Sequence, residues 1–240
     1  MTMTRKDGRS PGEVRPIRFE RGFTKSAPGS VLASFGDTRV LCTATWTEGV
    51  PNFLTGRGQG WLTAEYSMLP SSTSSRKSRD RAGKVDGRSV EIQRLIGRAL
   101  RSVMDLPKMT ERTLWIDCDV IQADGGTRTV SISGAYVALH DALSEMQEKR
   151  LLRGWPLQTQ LGAVSVGVVG GEPVCDLNYV EDSKADVDMN IVMTGEGDFV
   201  EVQGSAEGAV FSRDKLERML ALGEAGIRDI QAAQKSVLET

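Results

Sequence analysis

The chain has 240 residues, 39% hydrophobic and 26% charged, with 30 Lys/Arg against 32 Asp/Glu for a net charge of −2. That composition suits one large domain or two closely packed halves. No apolar run approaches the roughly 18 residues of a membrane span, so the sequence predicts no membrane role and a cytoplasmic location. The single histidine, His140, and the three cysteines isolated in apolar runs, Cys42, Cys118 and Cys175, argue against a histidine triad, a histidine-rich metal site or a disulfide framework. Carboxylates, arginines and an oxygen-liganded metal remain as chemical tools.

The opening MTMTRKDGRSPGEV is polar and broken by Gly8, Pro11 and Gly12, so residues 1–12 read as a mobile arm. A short strand is predicted over 14–19, then SVLASF and TRVLCTATW around the two-residue turn signal Gly36-Asp37. The glycine-rich GRGQG at 56–60 leads into WLTAEYSML, a further strand. The tract 70–84, PSSTSSRKSRDRAGK, has no apolar residue before Ala82 and reads as an exposed, mobile basic loop.

Residues 88–106 carry Ile92, Leu95, Ile96, Ala99, Leu100 and Val103 at helical spacing, opened by Asp86 or Ser89 as cap. Arg94, Arg98 and Arg101 share one stripe of that helix. TLWIDCDVIQ, 113–122, alternates as a strand, and a second helix begins near Thr127 to Thr129. Strands follow at 161–169, 173–180, 188–194 and 198–204, and Leu216, Leu220, Ile227 and Ile230 mark a last helix. Strands and helices in this order, without sustained βαβ alternation, indicate an α+β fold of mixed β-sheets packed with helices.

Three stretches carry candidate chemistry. Between strand 113–122 and the second helix stands Asp124-Gly125-Gly126-Thr127-Arg128. Glycines let the backbone approach a ligand closely, and the first N–H groups of a helix lack partners and attract phosphate. A guanidinium fork beside them can grip two phosphate oxygens. The glycines and threonine alone fit an ordinary turn and cap; Arg128 shifts the balance towards an anion site.

The second stretch, 57–101, holds ten Lys/Arg against four acids, a net +6 inside an acidic chain and a pattern for polyanion binding. The third is the acidic run DLNYVEDSKADVDMN, 176–190. Asp182 and Asp188 can cooperate only if the chain turns between them, since on a straight strand they would lie roughly 20 Å apart. Spacing alone does not choose that pair over Asp186 and Asp188, and a solvated hairpin tip is equally compatible.

Taken together, GQGWLTAEYSMLP, GRSVEIQRLIGRALR, DCDVIQADGGTRTVSI, CDLNYVEDSKADVDMN and EVQGSAEG resemble the bacterial ribonuclease PH family, in order, from about Asp7 onwards. The resemblance implies one RNase PH domain over 1–240, with βαβ elements like those of a ribosomal-protein domain. It implies a phosphorolytic 3′→5′ exoribonuclease and nucleotidyltransferase that trims the tails of tRNA precursors and other RNA 3′ ends, reversibly releasing nucleoside 5′-diphosphates. By the same resemblance Arg88, Gly126, Thr127 and Arg128 hold inorganic phosphate as co-substrate. Asp182 and Asp188 match active-site aspartates that hold Mg²⁺ and assist the leaving oxygen. The family also implies a homohexamer, a trimer of dimers, with Arg76, Arg79 and Arg81 of the basic loop on tRNA. Ser71 follows Pro70 where relatives often carry arginine, a departure that touches RNA affinity and not the chemistry. Two rivals differ in kind: a non-catalytic RNA-binding ring subunit of an exosome-like complex, and a general mRNA-degrading phosphorylase.

Overall fold

The computed structural model describes residues 5–79, 86–206, 208 and 210–239. The strands are β1 (Ile17–Arg21), β2 (Gly29–Phe35), β3 (Thr38–Glu48), β4 (Trp61–Met68), β5 (Arg112–Gln122), β6 (Leu161–Val169), β7 (Glu172–Cys175), β8 (Val187–Thr194) and β9 (Phe199–Ala206). The α-helices are α1 (Gly87–Ser102), α2 (Thr127–Glu148), α3 (Tyr179–Asp182) and α4 (Arg213–Leu238). One sheet runs β1-β2-β3-β5-β4 and the other β7-β6-β8-β9. All pairs are antiparallel apart from β4 and β5, which a crossover through α1 makes parallel.

Helix α2 joins the two sheets, packing on β2 and β3 on one side and on β6 on the other. A helix covered on both sides must be apolar all round, and Val130, Ile132, Ala135, Leu139, Ala142, Leu143 and Met146 are fully buried. The approach to β2 is so close that a Cβ on Gly29 would stand 1.8 Å from the carbonyl oxygen of Ala138. Helix α4 covers β6, β7 and β8. Cys42 and Cys118 face each other across β3 and β5, Sγ to Sγ 3.9 Å, as free buried thiols. The contact with Cys42 and burial both push the Cys118 thiol up, which keeps it unreactive.

Several expectations need correction. The first strand begins at Ile17 and not Val14, and α1 ends at Ser102, with a separate 3-10 turn over Leu106–Met109. The strand expected over 173–180 stops at Cys175, because Asp176 takes φ 52° and turns the chain into α3. Residues 5–12 of the arm are not loose: Arg5 and Arg9 are buried against Cys175, Asp176 and Glu181. In the basic tract, Ser72 is buried, and its carbonyl accepts from the N–H of Ala123 at 2.8 Å, so the start of the loop is anchored. Within the expected arginine stripe, Arg101 lies 4.6 Å over the Trp61 ring and donates to the carbonyl of Leu62, while Arg98 pairs with Glu201.

Candidate active site

Strand β5 ends at Gln122, and shortly after it come Gly125 and Gly126, whose φ values of 77° and 64° are left-handed and suit only glycine at low cost. The chain thereby swings directly into α2, and no side chain caps that helix. The carbonyl of Gly126 accepts from Thr129 and Val130, so the N–H groups of Thr127 and Arg128 are left without intrahelical acceptors. The Thr127 hydroxyl is fixed by a 2.8 Å hydrogen bond with the phenol of Tyr66 from β4. Burial pushes that phenol up, while the hydrogen bond with Thr127 and the charges of Arg88 and Arg128 pull it down.

Arg88 lies in the first turn of α1, where the Asp86 side chain caps its backbone N–H. Its guanidinium is exposed, takes no carboxylate partner among the described residues and lines a cavity of about 600 Å³ with Lys77 and Arg79. Arg128 is half-buried, and its Nη1 donates to Glu91 Oε1 and to Gln203 Oε1, each at 3.2 Å. The amide of Gln203 closes the triangle with 3.1 Å to the same Glu91 oxygen. These contacts leave Nη2 and Nε of Arg128 available to an anion.

The acidic run does turn between Asp182 and Asp188. Asp182 ends α3 and Asp188 lies in β8, both half-buried, while Asp186 is exposed. Asn178 opens α3 with a capping box to Glu181. A Cβ on Gly125 would stand 2.4 Å from the carbonyl of Leu177 and 2.9 Å from the N–H of Tyr179, so this short helix abuts the glycine turn. The Tyr179 N–H also donates to Asp124 Oδ1 at 3.2 Å. Asp188 lies two residues from Asn190, on the same face of β8. Asn190 pairs in register with Ser165, whose Oγ would be 3.5 Å from a Cβ on Gly126. The fold therefore sets α3 against the glycine turn, with Arg128 in the first turn of α2 and Arg88 in the first turn of α1. Arg76 and Arg79 are exposed, Arg79 lining the same cavity as Arg88, and Arg81 lies outside the described residues.

Other functional neighbours escaped sequence reasoning. Glu91 and Gln203 lie 112 positions apart in the chain and meet only through the fold. Asp176 is fully buried in a left-handed conformation that costs a non-glycine residue about 1–3 kcal/mol. It persists because Arg5, Arg9 and Arg15 surround it. Burial would raise the carboxyl of Glu181, but Arg5, bound through Nε at 2.7 Å and Nη2 at 2.6 Å, holds it below its ordinary value with help from the Asn178 N–H and Arg9. A positive φ at an aspartate leaves no periodic trace in a sequence; the one available signal was the density of arginines at 5, 9 and 15. Beyond Tyr66, Glu65, Asp117 and Asp119 line a separate cavity of about 520 Å³. Burial, then Glu65 and Asp119, push the Asp117 carboxyl up; burial and Glu65 do the same to Asp119.

Residues 13–145 match the description "3′ exoribonuclease family, domain 1" and residues 159–226 match "domain 2" of that family. A ribonuclease PH of Syntrophomonas wolfei subsp. wolfei is 54% identical over 237 residues, covering 98% of this chain and 99% of that protein. Among solved structures, rice (Oryza sativa) Rrp46 superposes with a TM-score of 0.78 at 20% identity, over 98% of this chain and 100% of that one. A chain of the Archaeoglobus fulgidus exosome with RNA bound to the active site gives 0.80 at 21% identity, over 95% and 91%. At those identities the superpositions speak for the fold alone.

Proposed function

The chain belongs to the 3′ exoribonuclease family, and on that premise we infer that it is a phosphorolytic 3′→5′ exoribonuclease that trims the tails of tRNA precursors. It is a nucleotidyltransferase with inorganic phosphate as co-substrate and nucleoside 5′-diphosphates as products. The observation that carries this reading is the uncapped start of α2 at a double-glycine turn, with Arg128 in its first turn and an exposed Arg88 at the start of α1.

In phosphorolysis a phosphate oxygen attacks the phosphorus of the last RNA linkage, and the bond to the 3′-oxygen of the preceding nucleotide breaks. That oxygen takes a proton and remains as the new 3′ end. Both reactants are anions: two unit charges 4 Å apart repel by about 1 kcal/mol in water and about 4 kcal/mol at an effective dielectric near 20. Arg88 and the free donors of Arg128 offset this repulsion, together with the N–H groups of Thr127 and Arg128 and the positive end of α2. Gly126 keeps the backbone bare where phosphate must approach. The Thr127 hydroxyl, steadied by Tyr66, stands next to the turn as a further donor or acceptor. No histidine is needed.

Asp182 and Asp188 are assigned to the leaving-oxygen side, as catalytic residues and metal ligands. Among the described residues no three His, Cys, Asp or Glu side chains cluster to cage a metal. A Mg²⁺ held by these two carboxylates and completed by water and RNA oxygens fits such a site, because Mg²⁺ keeps several waters and rarely takes an all-protein cage. When bound it supplies positive charge against the developing negative charge. Arg76, Arg79 and Arg81 are assigned to the RNA track, and the chain is read as one functional domain, since α2 packs on both sheets. The family and its ring-forming relatives support an oligomeric ring, which we take to be a homohexamer. No helix among the described residues is long and apolar enough to cross a membrane, and we place the enzyme in the cytoplasm.

The deciding experiment is incubation with tailed RNA, with and without phosphate, and identification of the released mononucleotide. Nucleoside 5′-diphosphates that appear only with phosphate are expected. Monophosphates released regardless of phosphate overturn the reading.

A further inference from the structure

Arg15 is buried just ahead of β1, with contacts in two directions. Towards the acidic run, its backbone N–H and Nε donate to Asp176 Oδ2 at 2.7 and 2.9 Å, and Nη2 donates to Asp176 Oδ1 at 2.7 Å. Towards the glycine turn, Nη1 donates to the carbonyl of Asp124 at 2.5 Å and to Thr38 Oγ1 at 3.3 Å. The Thr38 hydroxyl in turn donates to the carbonyl of Gly125 at 2.7 Å and accepts from the N–H of Asp124 at 3.0 Å. A planar guanidinium can serve both sides at once; an ammonium cannot. A second clamp holds only the acidic side, where Arg5 grips Glu181 with two hydrogen bonds, one residue before Asp182.

We propose that Arg15 is a positioning residue for phosphorolysis: bonded to Asp176 on one side and to Asp124 and Thr38 on the other, it sets the spacing between the phosphate-binding turn and the segment that carries Asp182. The proposal rests on the reading of those two segments given above. Spacing matters because attack needs the phosphate oxygen near 3–3.5 Å from the scissile phosphorus, and a 1 Å error costs about 10²-fold. Removing Arg15 therefore disturbs both ends of the reaction, whereas releasing Glu181 disturbs one.

The test compares Arg15→Lys, which keeps a cation beside Asp176 but loses the two-sided fork, with Glu181→Gln and wild type. Circular dichroism, melting and light scattering establish equal folding and assembly. Phosphate affinity is then measured by calorimetry, and kcat and KM for phosphate with a short oligonucleotide. Arg15→Lys should weaken phosphate binding about tenfold and lower kcat by roughly 10–10²-fold. Glu181→Gln should lower kcat with phosphate affinity unchanged. A role in folding alone reduces the active fraction without moving the phosphate dissociation constant, so a loss by Arg15→Lys confined to kcat overturns the proposal. So does a wild-type value of both constants, or equal weakening of phosphate binding by Glu181→Gln. Should Arg15→Lys fail to fold, Thr38→Val removes the hydroxyl that joins Arg15 to the Gly125 carbonyl and the Asp124 N–H, leaving its direct bond to the Asp124 carbonyl; unchanged phosphate affinity there is equally fatal. A wild type that releases no diphosphate from tailed RNA overturns the underlying reading, and this proposal with it. A phosphorolytic wild type beside an unaffected Arg15→Lys overturns the proposal by itself.

Discussion

Arg128 uses one nitrogen for Glu91 and Gln203, and neither contact engages Nη2 or Nε. Arg128→Ala should therefore abolish phosphorolysis at limiting phosphate while RNA still binds through the basic segment; unchanged turnover rejects its placement. Asp182→Asn and Asp188→Asn should each suppress cleavage even at saturating phosphate, since phosphate affinity is not what they supply. If exposed Asp186 proves the more damaging site, the pair is wrongly chosen. The third prediction concerns Asp117, whose carboxyl is raised by burial and by Glu65 and Asp119. A raised carboxyl opposes folding when charged: the cost is full above its folded value and vanishes as pH falls below the unfolded one, 3.8. Asp117→Asn should raise the melting temperature at pH 7, with the gain fading as the buffer approaches pH 4. A gain that persists in acid contradicts the charge explanation. At this scale Gly126, Thr127 and Arg128 were legible because they are contiguous. Glu91, Gln203 and Asp176 were not, since their partners come from distant elements.

Among the elements, β5 and the apolar face of α1 could be read directly from period-two and helical spacing. Segment 173–180 misled because Val174, Leu177 and Val180 suit a strand as well as a turn and short helix. What decides is Asp176, held in a left-handed conformation by arginines more than 160 positions away. The union of α2 with both sheets was also hidden, although its apolar residues were not. Its seat on the first sheet rests on a gap opposite Ala138 that only glycine leaves open. Gly29→Ala should force β2 and α2 apart. Overpacking of this kind costs about 1–3 kcal/mol, which at roughly 2–4 °C per kcal/mol for a chain of this size gives a clear fall in melting temperature. An unchanged melting temperature would mean that the helix shifts freely, contrary to its complete burial.

Over the whole molecule, charge is divided: a chain of net −2 concentrates +6 between residues 57 and 101. Lys77, Arg79 and Arg88 from that segment line one cavity. Backbone phosphates should dominate RNA binding, with a slope near −0.7 per neutralised phosphate in log affinity against log salt for single strands. Replacing Arg76, Arg79 and Arg81 with alanine should flatten that slope and weaken long precursors, while a very short oligonucleotide is cleaved almost as before. Light scattering of the same variant separates an RNA track from a support of the ring: equal loss on both substrates with altered mass favours the latter. The junction of Arg15 with Asp176 has a further consequence, in time. Its halves are 161 positions apart, so at 5–20 residues per second the ribosome makes the second on the order of ten to thirty seconds after the first. A nascent chain halted before Asp176 already carries the glycine turn and the basic segment, yet it lacks both the carboxylate that Arg15 needs and the two aspartates beyond it. On the roles proposed above for the basic segment and the aspartates, interrupted translation should yield fragments that hold RNA but do not shorten it, with nuclease activity beginning only once the chain has passed Asp188.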